Sequence, residues 1–191
     1  KDVLLAQGKK IVYCIFSKKN GNRILEGLSY ANSVFGGFIN GKIIDSIIIG
    51  ILCFIGMTML NMPLAVLISV IVGITNIIPF FGPFIGAIPS ILILFIGDPK
   101  QGFLFAVFAL VLQQLDGNFI GPLILGDRLK ISSMWILFAI LIGGSLYGVA
   151  GMVLGAPTLA CVFAVVREFC KKKLDEKSLP IQSDFYYNID Y

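Results

Sequence analysis

Histidine is absent from all 191 residues. That removes imidazole-based zinc sites, Ser-His-Asp and Cys-His catalysis, and the commonest proton relay. Charge is scarce as well. Only 14% of residues are Asp, Glu, Lys or Arg, against about a quarter in ordinary soluble domains, so the chain lacks the charge to solvate a globular surface. Between Lys42 and Asp98 the only carboxylate or basic group is Asp45. Four cysteines, Cys14, Cys53, Cys161 and Cys170, show no C-x-x-C spacing and read as buried or reduced thiols, with no metal site or cofactor expected. Signatures of intramembrane catalysis are missing too. Neither Asp98 nor Asp127 sits in Gly-x-Gly-Asp, and there is no Gly-x-Ser-Gly or H-E-x-x-H, so no enzyme is expected.

What is present is apolar sequence in blocks. Hydrophobic residues make up 57% of the chain, and mean hydropathy is +0.92. The expected fold is all-α: a polytopic helical integral membrane protein with broken or hairpin helices. Residues 1–41 read as a cytoplasmic amphipathic helical arm, with Ile24, Leu28, Ala31, Phe35 and Phe38 at helical spacing, facing either lipid or neighbouring helices. Residues 42–170 form the transmembrane domain, with about five to six apolar helical segments, and 171–191 a cytoplasmic tail. The segments Leu64–Ile78 and Phe84–Gly97 are each too short to cross a bilayer, which takes about 20 residues. Ser133–Cys170 is too long for one crossing, so a turn is expected near Gly143–Gly151. Lys1 rather than Met stands first, and Lys1–Gln7 is too charged and short for a signal peptide, so the chain is expected to be part of something longer.

Basic residues set the orientation. Placing both ends of the chain and the loop around Arg128 on one side gathers every Lys and Arg there except Lys100. By the positive-inside rule that side is cytoplasmic, in the cell membrane, with Arg128, Lys171, Lys172 and Lys173 as its anchors. The basic tracts lie at the ends of apolar segments and form no continuous face for nucleic acid.

Three motifs stand out. Asn76-Ile-Ile-Pro79-Phe-Phe-Gly82-Pro83 must interrupt a helix, because proline lacks an N–H and clashes with the preceding turn. Such breaks line substrate or ion pathways in transporters, and a plain turn between two short helices is the competing reading. Asp116, with Gln113, Gln114 and Asn118, puts a carboxylate beside an apolar segment. It lines a wet pathway or caps a helix at headgroup level, and residue type alone leaves both open. Asp45, three residues past Lys42, reads as half of a local ion pair at the interface. Gly144, Gly148, Gly151 and Gly155 allow close helix packing or a tight turn, and Pro157 is expected to kink the last helix.

These motifs, in this order, resemble the autoinducer-2 exporter family, a large bacterial group of permeases. The resemblance runs from Phe38-Ile-Asn-Gly-Lys42 through Asn76–Pro83 with Gly86 and Pro89, then Asp116-Gly-Asn118 to Pro122, and Gly143–Gly151 to Pro157. It covers roughly Phe38 to Cys170 and corresponds to the family's C-terminal half, with many relatives carrying Glu in place of Asp116. It implies a lipid-embedded homo-oligomer that exports small signalling molecules or other small solutes. Sodium- or lithium-coupled proton antiport is the alternative, with H+ or Na+ as coupling ion, and a non-transporting membrane scaffold is a third. On that basis Asn76, Pro79, Gly82, Pro83, Gln113, Asp116 and Asn118 are the candidate pathway residues.

Overall fold

A computed structural model describes residues 2–125 and 132–177. Every element in them is helical: α1 (Asp2–Ile15), α2 (Lys18–Met59), α3 (Ala65–Thr75), α4 (Gly82–Gly97), α5 (Pro99–Leu115), a π-helical turn (Asp116–Ile120), α6 (Gly121–Leu125) and α7 (Ser133–Glu176). The expected all-α fold is borne out. Three helical stretches, Asn20–Met59, Pro99–Ile124 and Met134–Asp175, are long and apolar enough to cross a bilayer.

The distribution of polar side chains is the reverse of a water-soluble protein's. Ile47, Ile51, Val70, Ile74, Leu92, Ile96, Val107 and Leu110 are exposed, whereas Lys42, Asp45, Ser46, Ser69, Asn76 and Ser90 are buried. Apolar surface facing outward and polar groups facing inward is what a hydrocarbon solvent selects.

Helix α2 runs unbroken from the mixed-polarity arm into the first apolar segment. It stops before Pro63, where Asn61 and Leu64 take left-handed backbone (φ 51° and 56°) and reverse the chain. Helix α3 then returns along α2, with the two backbones close enough that a Cβ on Gly73 would meet Gly50 Cα at 3.2 Å. At Asn76–Phe81 the chain turns again. A Cβ on Gly86 would overlap Thr75 Oγ1, and one on Gly82 would overlap the Thr75 carbonyl, so these two glycines let α4 pack tightly on α3. With 11 and 16 residues, α3 and α4 are about 16 and 24 Å long at 1.5 Å per residue. Neither reaches across a hydrocarbon core of about 30 Å. Together they form a helical hairpin whose tip buries Asn76 and Ile78 and leaves Phe80 exposed.

Asp98 closes the turn between α4 and α5. Its Oδ1 accepts the Lys100 N–H at 3.0 Å, and Pro99 occupies the first helical position of α5, where a missing N–H costs nothing. Helix α5 then runs antiparallel to α2, with Phe108 filling the space beside Gly56. Ile49, Cys53, Met57, Ile68, Val72, Ala87, Leu94 and Phe105 make the core between α2, the hairpin and α5.

Helix α7 is a helical hairpin, as its length required. Its backbone leaves helical geometry only at Tyr147 and Gly148, and Gly148 has φ +59°, which glycine adopts without strain. The arms return antiparallel: Gly151 lies against Gly143 and Gly155 against Ala139, while Trp135 meets Phe163 edge to face at 5.5 Å. Pro157 is fully buried in the second arm, and the dihedrals around it stay helical.

Candidate functional site

Lys42 and Asp45 lie one turn apart on the inner face of α2. Lys42 Nζ donates to Asp45 Oδ2. The expected ion pair therefore forms, but its setting differs from a membrane interface. Asp45 has no exposed surface and Lys42 only 7%, because the hairpin and α5 cover this face of α2. An ion pair stripped of water needs further hydrogen bonds to offset its desolvation. One comes from the hairpin tip, where Asn76 Nδ2 donates to the same Asp45 Oδ2 at 3.1 Å. The other carboxylate oxygen, Asp45 Oδ1, has no partner among the described residues.

Asp116 approaches from the end of α5. Pro122 has no N–H to give to the Asn118 carbonyl and would clash with it in a regular helix. The ladder widens instead, and the Gly121 N–H bonds back to the Asp116 carbonyl, five residues earlier. Single π-turns of this kind recur at functional sites. The Asp116 side chain lines the same cavity as Asn76, whose amide donates to Asp45. Asp116 Oδ1 is buried and has no partner.

Beside the cluster lies a cavity of about 20 Å³, lined by Asn76, Pro83, Gln113 and Asp116 on its polar side and by Cys53, Val72, Phe105 and Leu112 among its apolar residues. A space of this size holds one water-sized occupant.

Four of the residues singled out in the sequence, Asn76, Pro83, Gln113 and Asp116, therefore meet at one cavity. Pro79 and Gly82 shape the tip without lining it. Phe80 between them is held at φ 62°, a left-handed conformation that is strained for an aromatic residue. Asn118 lies on the exposed side of the π-turn, donating to Gln114 Oε1 at 3.0 Å, away from the cavity. Gly144 packs against Met152, and Gly148 makes the α7 turn. Lys171, Lys172 and Lys173 fall near the end of α7, and Arg128 lies outside the described residues. Sequence reasoning placed Lys42 and Asp45 apart from this group. The signal available was Asp45's isolation, as the sole carboxylate in more than fifty residues of apolar chain.

Comparison with known proteins gives a consistent answer. Residues 4–171 match the AI-2E family transporter. The chain is 33% identical over 152 residues to "Putative transport protein YueF" of Bacillus subtilis, covering 80% of this chain and 39% of that protein. It is 31% identical over 175 residues to "Putative transport protein YrrI" of the same organism, covering 92% of this chain and 49% of that protein. It is 30% identical over 142 residues to a protein of Halobacillus andaensis named sodium-lithium/proton antiporter, covering 74% of this chain and 39% of that one. The chain thus spans less than half the length of these curated relatives. No solved structure matches it.

Proposed function

Since this chain belongs to the AI-2E transporter family, we propose that it is the part of a secondary transporter that carries a small solute past the tip of a re-entrant hairpin, in the direction of export. One observation carries the reading. Three separate elements contribute polar or charged side chains to one region: Asp45 on α2 accepts from Lys42 and from Asn76 at the α3–α4 tip, and Asn76 shares a cavity with Asp116 after α5. Ionisable groups at membrane depth are costly and mark pathways rather than packing, and broken-helix tips are where transporters place their sites. Small signalling molecules of the autoinducer-2 kind are the first solutes to test. The α2 start and the α7 end face the cytoplasm in this reading, the side that gathers all basic residues but Lys100. The exposed apolar faces of α3, α4 and α7 meet lipid or further copies of the chain.

Exchange of sodium or lithium for protons is the second reading. It is favoured by the two carboxylates at the site and by the name of the Halobacillus relative. Reconstitution into liposomes separates the readings. Solute flux abolished by Asp116→Asn supports the first, and cation-dependent proton movement abolished by it supports the second. Correctly inserted protein that moves neither would make the chain a membrane scaffold and refute both.

A further inference from the structure

Helix α1 is held on the start of α2 by two contacts. Tyr13 Oη donates to Asn22 Oδ1 at 2.6 Å. Gly21 is buried against the Tyr13 ring and Val12, and a Cβ there would press on the ring at 2.9 Å. Successive side chains of a helix are turned by about 100°, so with Val12 and Tyr13 toward α2, Ile11 and Ile15 turn away from it. They are 60% and 69% exposed, and Phe16 beside them is exposed too. Lys9 and Lys10 lie to either side of this face, and Lys18 and Arg23 continue the basic surface along the start of α2; all four are exposed. Glu26 is the one acid among the described side chains of residues 6–28.

The length of α2 argues against lipid as the cover of this face. A crossing of about 20 residues, counted back along α2 from its end at Met59, stops near Asn40. Residues 18–39 continue the same unbroken helix, about 33 Å by the helical rise. Headgroups add only about 5–8 Å on each side of the hydrocarbon core. Helix α1 therefore stands in water with an apolar face uncovered, and apolar surface gathered in this way marks an interaction site.

Residues 178–191 of the chain have the matching chemistry. They hold Asp184 and Asp190 and no Lys or Arg, with Phe185, Tyr186, Tyr187 and Tyr191 around them. They follow α7, whose residues 167–176 run about 15 Å beyond its apolar part. A segment of that length spans up to about 46–50 Å when extended, enough for the remaining distance to α1. An acidic, aromatic segment and a basic, apolar face are complementary in charge and in hydrophobicity. Tethered in the same chain, the segment meets the face at about millimolar effective concentration, so a contact of modest affinity holds.

We propose that the outer face of α1, formed by Ile11, Ile15 and Phe16 between Lys9 and Lys10, is the docking surface for residues 178–191 of the same chain. The contact latches the end of α7 to the start of α2. It goes beyond the transporter reading and takes from it only the orientation that puts both ends on one side of the membrane.

Cys14 borders this face and is exposed, which makes it the reporter. The full-length chain carrying Tyr187→Cys, with Cys161→Ser and Cys170→Ser, is treated in proteoliposomes with a short bismaleimide, and linked peptides are identified by mass spectrometry. A link from Cys14 to position 187 within one chain is expected. Ile11→Asp with Ile15→Asp, or Asp184→Lys with Asp190→Lys, should each cut its yield several-fold. Adding Lys9→Glu and Lys10→Glu to the second pair restores opposite charges and should recover the link. Removing residues 178–191 should speed labelling of Cys14 by a membrane-impermeant maleimide several-fold. No link, or a link indifferent to both pairs of substitutions, overturns the proposal. So does a link found only between two chains, which gives the face to a second copy. Cys14 labelling that is the same with and without residues 178–191 also overturns it and leaves the face to lipid or another protein segment. In sealed vesicles the same maleimide separates docking from orientation. Cys14 and Cys170 labelled from opposite sides would refute the shared side and the docking with it, whereas labelling from one side without a link would refute the docking alone.

Discussion

Replacing Lys42 by Met gives the sharpest test of the buried cluster, because its energetic consequence follows from charge alone. The substitution keeps the length and apolar stem of the side chain and removes only the ammonium. Asp45, which has no exposed surface, is then left without its cation. At about 4 Å and an effective dielectric constant of about 20, one such pairwise term is worth about 4 kcal/mol. Removing one partner of a buried ion pair costs about 3–5 kcal/mol by general experience, which agrees. An uncompensated buried charge costs most while it stays ionised, so the loss should be largest at alkaline pH. In choline buffer the variant should unfold about 10 °C below wild type, since 1 kcal/mol shifts the midpoint by about 2–4 °C in chains of this size. Lys42→Met combined with Asp45→Asn returns the buried charge to its original value and should recover most of that loss. Thermal unfolding in detergent, followed by circular dichroism across a pH series, measures both. A single variant as stable as wild type at alkaline pH, or a double variant no better than the single, would refute the cluster as described.

Three further outcomes follow from the same geometry. Asp116→Asn should abolish transport at equal expression while Asp116→Glu retains it, measured as flux in liposomes; an active Asn variant would leave Asp116 a helix cap. Pro79→Ala with Pro83→Ala should impair flux more than membrane insertion, because a continuous helix over 64–97, about 51 Å by the helical rise, is far longer than the α3–α4 hairpin and could not keep the tip at the cavity. Gly148→Ala should destabilise the α7 hairpin by about 1 kcal/mol or more, because φ +59° strains any side chain; an unchanged unfolding midpoint would show that the turn relaxes elsewhere.

The architecture was legible wherever one residue's covalent chemistry forces a break. Pro63, Pro79 and Pro83 cannot continue a helix, Asp98-Pro99 starts one, and the 38 residues Ser133–Cys170 are too many for a single crossing. Each break fell where expected, to within a few residues, because steric exclusion acts locally and needs no partner. The widening at Asp116 was missed. It depends on how the ladder resolves the conflict at Pro122, and i→i+4 and i→i+5 solutions are written with the same letters. The glycines of α7 were legible as close contacts, but their partners, Gly143 and Ala139, emerge only once Gly148 is known to be the turn.

Asp45 shows why the site was only half legible. From sequence, Lys42 and Asp45 one turn apart at the start of an apolar run look like a pair at the membrane surface, because helix periodicity reports which residues share a face and not what covers that face. What covers it is the tip of a hairpin that begins twenty residues later and whose arms are each too short to cross a bilayer. A hairpin of that length can reach only partway into the membrane, so its tip must end against side chains of the long helices. Asn76 donates to Asp45 there and shares a cavity with Asp116. The length of α3, read together with the helical rise, fixes the depth of the site. Reading that depth back onto α2 would have pointed to the stretch around residues 49–53, to which Asp45 is the nearest carboxylate in the chain.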